Sequence, residues 1–242
     1  MEYCIETFQL AKIYNGIPVV NGISLRVERG TFHGFLGPNG AGKSTTIKML
    51  TGIVAPNSGS ARILGNDLLR GASSIKKRIG VVPEDLCLFE NLTGLEYLTF
   101  MGRMYFLPRN IAIDRAQELL EWIGLNNAGE TLVLEYSHGM QKKLALCAAI
   151  IHDPELLFLD EPFEGIDAVA SRTIREALEQ LCSRGATIFL TSHILEVVER
   201  LCTHVSIIDK GKLLWQGGLT EFSGGNRLDD AFLQMISGGE NT

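Results

Sequence analysis

The sequence predicts an α/β fold built around a largely parallel sheet, and three observations carry that prediction. Strand-like and helix-like segments alternate towards both ends of the chain. The stretch Gly37-Pro38-Asn39-Gly40-Ala41-Gly42-Lys43-Ser44-Thr45 joins a short strand, residues 31–36, to a helix running through Thr46-Ile47-Lys48-Met49-Leu50. Leu156-Leu157-Phe158-Leu159 is a continuous apolar run, the pattern of a strand buried on both faces.

Taken in order, residues 2–10 and 23–29 read as strands flanking the turn-like Asn15-Gly16-Ile17-Pro18. After the glycine-rich loop and its helix, Pro56-Asn57-Ser58-Gly59 marks a turn, and residues 60–65 and 79–84 read as short strands. Thr93-Gly94-Leu95-Glu96 is a capping box that opens a helix to about Leu107, where Pro108 stops it. Ala116, Leu119, Leu120 and Ile123 give a helical stripe over residues 114–123, stopped by Gly124. A further helix follows Gly139 and runs to about His152. The alternation then resumes: strand 156–159, helix 169–183 stopped by Gly185, strand 186–191 and helix 194–202. Residues 205–209 and 212–215 form a hairpin around Lys210-Gly211. An amphipathic helix covers Leu228–Ile236, ahead of a polar tail that should fray. No internal repeat or low-complexity segment interrupts this order.

With 242 residues, the chain should bury roughly 70–75% of its unfolded surface. A net charge of −6 argues against nucleic acid as the main partner, since phosphate backbones select a basic face. The apolar run 144–151 is far short of the ~18 residues that span a bilayer. The start Met1-Glu2-Tyr3-Cys4 lacks the basic residues and apolar stretch of a signal peptide. Five cysteines without a C-x-x-C pair suggest neither zinc nor a disulfide framework, and Cys147 and Cys182 read as small core residues. These features together fit a reducing cytosol.

The chemistry starts at the loop. Gly37–Thr45 fits G-x-x-x-x-G-K-[ST] in its proper strand–loop–helix setting. Its glycines let successive N–H groups turn inward on an anion, at the positive end of a helix. Lys43 would reach the β- and γ-phosphates of a nucleoside triphosphate, and the Ser44 hydroxyl would ligate Mg²⁺. Asp160 and Glu161 follow the buried run 156–159, so both carboxylates stand at a strand's carboxyl end, where α/β sheets gather ligands. Asp160 is placed to hold Mg²⁺, and Glu161 to take a proton from attacking water. Tyr136-Ser137-His138-Gly139-Met140-Gln141 stands ahead of a helix, and its Ser and Gly offer another anion-binding helix start.

The order of these motifs, from phosphate loop through helical stretch and serine–glycine helix start to Asp-Glu, resembles the ATP-binding-cassette (ABC) ATPases. The resemblance runs from about residue 3 to Gly217. It implies a P-loop NTPase (RecA-like) core with an antiparallel β subdomain and an inserted α-helical subdomain. A single ABC ATPase domain would then span 1–242, with its core at about 1–90 and 151–217. The helical subdomain would occupy about 91–150, and a short helical extension 218–242. By resemblance Tyr14 stacks on adenine, and Gly37, Asn39, Gly40, Ala41, Gly42, Lys43, Ser44 and Thr45 hold ATP. Asp160 and Glu161 match the Walker B aspartate and the catalytic base, and Asp167 belongs to the D-loop. His193 matches the histidine that contacts the γ-phosphate. Ser137, His138, Gly139 and Met140 match the signature that closes over ATP bound to a second such domain.

Two departures stand out. Glu84 occupies the place of the family's usual glutamine, joining Ser44 and Asp160 as a candidate Mg²⁺ ligand, and adds negative charge beside the phosphates. Tyr136, His138 and Met140 replace three residues of the usual L-S-G-G-Q. Both variations resemble the branch that serves drug, lipid and polysaccharide exporters. The resemblance therefore implies an ATP-hydrolysing motor subunit that works as an ATP-sandwich dimer with a separate polytopic membrane subunit, on the cytoplasmic face of the membrane. That subunit would dock near residues 84–107, with Leu88, Phe89, Tyr97 and Phe100 in contact. The alternatives are a soluble ABC ATPase acting on ribosomes or DNA, and a non-catalytic ATP-binding regulatory module.

Overall fold

Two sheets organise the chain, and the order in which it visits them decides where the phosphate loop emerges. The computed structural model describes residues 2–225 and 227–238. In chain order the elements are β1 (Tyr3–Tyr14), β2 (Ile17–Ile23), β3 (Arg26–Glu28), β4 (Phe32–Leu36), α1 (Lys43–Leu50), β5 (Ser58–Ile63) and β6 (Asn66–Asp67). Next come α2 (Ala72–Lys76), β7 (Ile79–Val82), α3 (Gly94–Met104), α4 (Arg109–Trp122), α5 (His138–Ile150) and β8 (Leu156–Asp160). The chain continues through α6 (Ala168–Ser183), β9 (Thr187–Ser192), α7 (Leu195–Leu201), β10 (His204–Asp209), β11 (Lys212–Gly218), α8 (Leu219–Ser223) and α9 (Leu228–Gly238).

The larger sheet has the order β11-β10-β4-β9-β8-β7. Its strands run parallel from β10 to β7, and β11 closes the edge as an antiparallel hairpin with β10. Every residue of β4, β8 and β9 is buried, as the uninterrupted apolar runs require. Register aligns Leu36 with Ser192, Asp160 with Thr191 and Val82 with Leu159. The segments that follow β4, β7, β8 and β9 therefore leave the sheet along one edge.

The smaller sheet is antiparallel, β2-β1-β5-β6 with β3 also on β1. It packs over one face of the larger sheet, burying Ile5, Leu10, Met49 and Leu50 with Phe35, Phe158 and Phe189. Each large side chain removed from water there contributes about 1.5–3 kcal/mol. The opposite face carries α3 to α7 around Leu98, Leu120, Leu144 and Leu190. Cys147 is buried as expected, whereas Cys182 is half-buried with its Sγ 3.7 Å from the Gly30 carbonyl.

The first strands differ from the sequence reading. Asn15 and Gly16 both take left-handed backbone, with φ of 51° and 80°, the two-residue turn that matches the twist of a hairpin. The strands thus extend from Tyr3 through Ile23 around that turn, and residues 26–28 form a separate short strand. Pro18 hides the second strand in the sequence, and it is tolerated because β2 lies at the sheet edge.

The capping box is present: Glu96 N donates to Thr93 Oγ1 at 3.2 Å, and Thr93 N donates to Glu96 Oε2 at 2.9 Å. The helix it opens ends at Met104, not near Leu107, and the next begins at Arg109 rather than Asp114. Pro108 is the N-cap of this helix, with extended backbone at ψ of 147°, so it stands at the start of α4 as well as separating it from α3. Only Ala112, Ala116 and Leu120 are buried along α4, which is why its first turn shows no apolar stripe. The helix expected over Leu228–Ile236 is observed, while the tail expected to fray lies, beyond Gly238, outside the described residues.

Candidate functional site

The loop after β4 can only be built as it is because two of its positions lack a side chain. A Cβ on Gly37 would stand 2.2 Å from the Ile208 carbonyl of β10. Gly42 has φ of 105° and its Cβ would stand 2.7 Å from the Val19 carbonyl. Gly42 leads directly into α1, so the loop amides and the helix's positive end face the same cavity of about 260 Å³. Asn39, Gly40, Gly42, Lys43, Ser44 and Thr45 line that cavity, joined by Glu84, Glu161 and His193 from the segments after β7, β8 and β9.

Lys43 is 5% exposed. Its Nζ donates to the Gly37 and Pro38 carbonyls at 2.8 and 3.3 Å and stands 3.5 Å from Glu161 Oε1. The other Glu161 oxygen, Oε2, lies 3.0 Å from His193 Nδ1 and accepts from the His193 amide at 3.3 Å. Glu161 is itself buried, and its Oε1 has no hydrogen-bond partner among the described residues. Its backbone sits at φ of 46°, a conformation that costs about 1–3 kcal/mol and recurs at working sites.

Asp160 is the companion carboxylate. Burial pushes its carboxyl above the ordinary range, and hydrogen bonds from Thr191 and Ser44 pull it back. Thr191 Oγ1 donates to Asp160 Oδ1 at 2.6 Å and accepts from the Glu161 amide at 3.0 Å, so one hydroxyl fixes both acids. Ser44 Oγ lies 3.2 Å from Asp160 Oδ1 and 3.3 Å from Glu84 Oε2. Three oxygens from three segments converge there. Among the described residues no group of three or more His, Cys, Asp or Glu forms a metal cage. An all-oxygen set with two carboxylates suits Mg²⁺, which takes few protein ligands and completes its shell with phosphate oxygens and water.

The remaining expected residues stand elsewhere. Tyr14 ends β1, is 42% exposed, and has Lys12 Nζ 5.1 Å from its ring centroid. Tyr14 is not part of the cavity wall; Val19, from the same hairpin, is. Ser137 caps α5, accepting from the Met140 amide at 3.4 Å, and Asp167 caps α6, accepting from Val169 and Ala170 at 2.8 Å each. These two helix starts touch. A Cβ on Gly139 would meet Ala170 at 2.9 Å, and one on Gly165 would meet the His138 ring at 3.3 Å. None of Ser137, His138, Gly139 and Met140 lines this chain's own phosphate cavity.

Sequence reasoning missed Thr191, Lys142 and the cavity-lining position of Glu164. A threonine ending a buried strand beside Ser192-His193 was a usable signal, since its hydroxyl needs a partner there; Lys142 in an apolar helix was another.

Two further cavities bear on the expected residues. One of about 150 Å³ lies between the 83–88 segment, α3 and α5, and Leu88 and Tyr97 line it. Tyr97 is buried in it, whereas Phe89 and Phe100 are 53% and 39% exposed and meet edge-on at 5.3 Å. The other, about 670 Å³, opens at the amino ends of β8 and β9 between α4 and α6 and contains none of the expected residues. No helix among the described residues is long and apolar enough to cross a membrane.

Comparison with known proteins gives a consistent answer. A sequence model of the ABC transporter family matches residues 20–164. The linearmycin resistance ATP-binding protein LnrL of Bacillus subtilis is 38% identical over 98% of this chain and 76% of its own length. The daunorubicin/doxorubicin resistance ATP-binding protein DrrA of Streptomyces peucetius is 39% identical over 88% of this chain and 64% of its own. A solved structure of an ATP binding subunit of an ABC transporter superimposes with a TM-score of 0.88 at 30% identity, covering 96% of this chain and 99% of that one.

Proposed function

The chain belongs to the ABC transporter family, as an ATP-hydrolysing subunit of the export type, and on that premise we propose how its residues divide the work. The amides of Gly37, Asn39, Gly40, Ala41, Gly42 and Thr45 cradle the phosphates of ATP, and Lys43 turns from the loop carbonyls to the β- and γ-oxygens. Glu161 is the general base: Oε1 takes a proton from water as the water oxygen attacks the γ-phosphorus and the bond to ADP breaks. His193 holds Oε2, which aims the carboxylate, and faces the γ-phosphate with its exposed edge. Tyr14 stacks on the adenine from the hairpin that also supplies Val19.

Ser44, Asp160 and Glu84 would hold Mg²⁺, which when bound neutralises charge on the phosphate oxygens. Ser137, His138, Gly139 and Met140 complete the site of a second subunit, identical or homologous, and Asp167 stands at the same dimer face. A polytopic membrane subunit docks over residues 84–107, where Leu88, Phe89 and Phe100 offer apolar surface and Tyr97 forms the floor. The chain then sits peripherally on the cytoplasmic face of the membrane. We read 1–242 as one ABC ATPase domain, with residues 91–150 inserted into a core of 1–90 and 151–217. The resistance proteins among its relatives support an exporter, and the net charge of −6 speaks against action on DNA or ribosomes.

One observation carries the assignment of the base: Glu161 is buried with Oε1 3.5 Å from Lys43 Nζ and Oε2 3.0 Å from His193 Nδ1, and Oε1 has no hydrogen-bond partner among the described residues. Glu161→Gln should leave ATP affinity intact and lower turnover at least about 10²-fold. It should also trap an ATP-bound dimer on a sizing column. Wild-type turnover in that variant would remove Glu161 from the role.

A further inference from the structure

Behind the acidic wall of the site lies a buried cation that none of the roles above uses. Lys142, on the second turn of α5, is 3% exposed and forms no ion pair among the described residues. Its Nζ instead donates to two main-chain carbonyls, those of Glu84 and Glu161, at 3.3 Å each. A buried ammonium is strongly unfavourable without compensation. Burial pulls its pKa down, and the carboxylates of Glu164, Glu84, Asp160 and Glu161 oppose that shift.

The two carbonyls belong to segments that leave adjacent strands. The β7–β8 ladder ends at Val82 opposite Leu159, and Pro83, which follows, has no N–H with which to continue it. Past that point the ladder no longer joins the two segments, and the Lys142 ammonium spans the Glu84 and Glu161 carbonyls. A methionine would fill the same volume but leave both carbonyls without this donor.

We propose that Lys142 is a positioning residue for hydrolysis, its ammonium bracing the Glu84 segment against the Glu161 segment so that the base is held in register with the groove at residues 83–88. The proposal rests on the assignment of Glu161 as the base. It deepens that assignment by linking the base to the surface where the membrane subunit docks. The brace acts through main chain, so it is insensitive to the side chain at position 84. Because Lys142 rides on α5, it also ties both segments to the helix that starts at Ser137.

The test compares the full-length wild type, Lys142→Met and Lys142→Arg. Melting temperature, affinity for a fluorescent ATP analogue, steady-state kcat and KM, and amide hydrogen exchange are read on each. In Lys142→Met, affinity and KM should stay within about twofold while kcat falls about tenfold or more, the pattern of a lost transition-state arrangement. Amides in 84–89 and 161–164 should exchange faster, with exchange elsewhere unchanged. Lys142→Arg, which restores donors and charge, should recover kcat to within about threefold. Unchanged kcat in Lys142→Met overturns the proposal. So does a loss spread over affinity, melting temperature and exchange along the whole chain that arginine does not restore, because that is a packing role. Wild-type turnover in Glu161→Gln, measured beside these variants, overturns the assignment of Glu161 and the brace with it, whereas an inactive Glu161→Gln beside a fully active Lys142→Met overturns the brace alone.

Discussion

Replacing Thr191 by valine removes one hydroxyl and nothing else of that shape, from a position with 0% exposure. The hydroxyl donates to Asp160 Oδ1 at 2.6 Å and accepts from the Glu161 amide at 3.0 Å. A hydrogen bond to a charged group contributes about 1.5–3 kcal/mol, and a buried amide left without an acceptor costs about 1–3 kcal/mol. The two losses sum to about 2.5–6 kcal/mol, and a chain of this size loses roughly 2–4 °C per kcal/mol. The melting temperature should therefore fall by on the order of 10 °C at neutral pH. Acid should shrink that gap. Burial already holds the Asp160 carboxyl above its ordinary pKa, and the Thr191 hydrogen bond is the first of the two that lower it. A carboxyl with its folded pKa raised binds its proton more tightly when folded, so its contribution is present below the unfolded pKa and lost as pH rises through the folded one. Thr191→Val moves the folded pKa further up and deepens the loss at neutral pH. Calorimetric melts of both proteins across the acid range measure the gap directly. A neutral-pH gap under about 2 °C would refute the two-bond account. A gap that widens in acid would refute the reading that the Thr191 hydrogen bond lowers the Asp160 pKa.

Lys43→Ala should abolish ATP binding in equilibrium titration, since it removes the cation that faces the phosphates; unchanged affinity would contradict the phosphate-loop reading. Gly94→Ala should destabilise by about 1–3 kcal/mol, because its Cβ would stand 2.2 Å from the Tyr136 hydroxyl. Adding Tyr136→Leu should relieve that overlap, so chemical denaturation of the four proteins should show a favourable coupling between the two sites, and strict additivity would count against it.

The parts of the site legible in the sequence are those whose chemistry is local. Gly37–Thr45 builds its phosphate cradle from consecutive residues, and Asp160-Glu161 needs only a buried strand to deliver it to a sheet edge. What stayed hidden depends on chain separation. Thr191 matters because β8 and β9 are neighbours, which sets it opposite Asp160. Lys142 matters because α5 crosses beneath two loops distant in sequence. Gly94 resembles any glycine at a helix start until Tyr136, whose hydroxyl donates to the Ala128 carbonyl at 2.7 Å, is seen to occupy the space a side chain would need. The fold errors have the same origin. Pro18 and Pro108 weigh against regular structure locally, and a sheet edge and a helix start accommodate them.

The separation of Ser137–Met140 from their own chain's cavity has a genetic meaning. In the sandwich dimer proposed above, each site would draw its loop from one copy and its Ser137–Met140 segment from the other. A copy damaged at Lys43 and a copy damaged at Ser137, each inactive alone, would on pairing concentrate both lesions in one site and leave the second intact. Copies damaged at Lys43 and at Glu161 would instead spoil one site each. Mixed assemblies of the first kind should recover a working site and those of the second should not, so inheritance of activity would follow the composite site rather than the polypeptide.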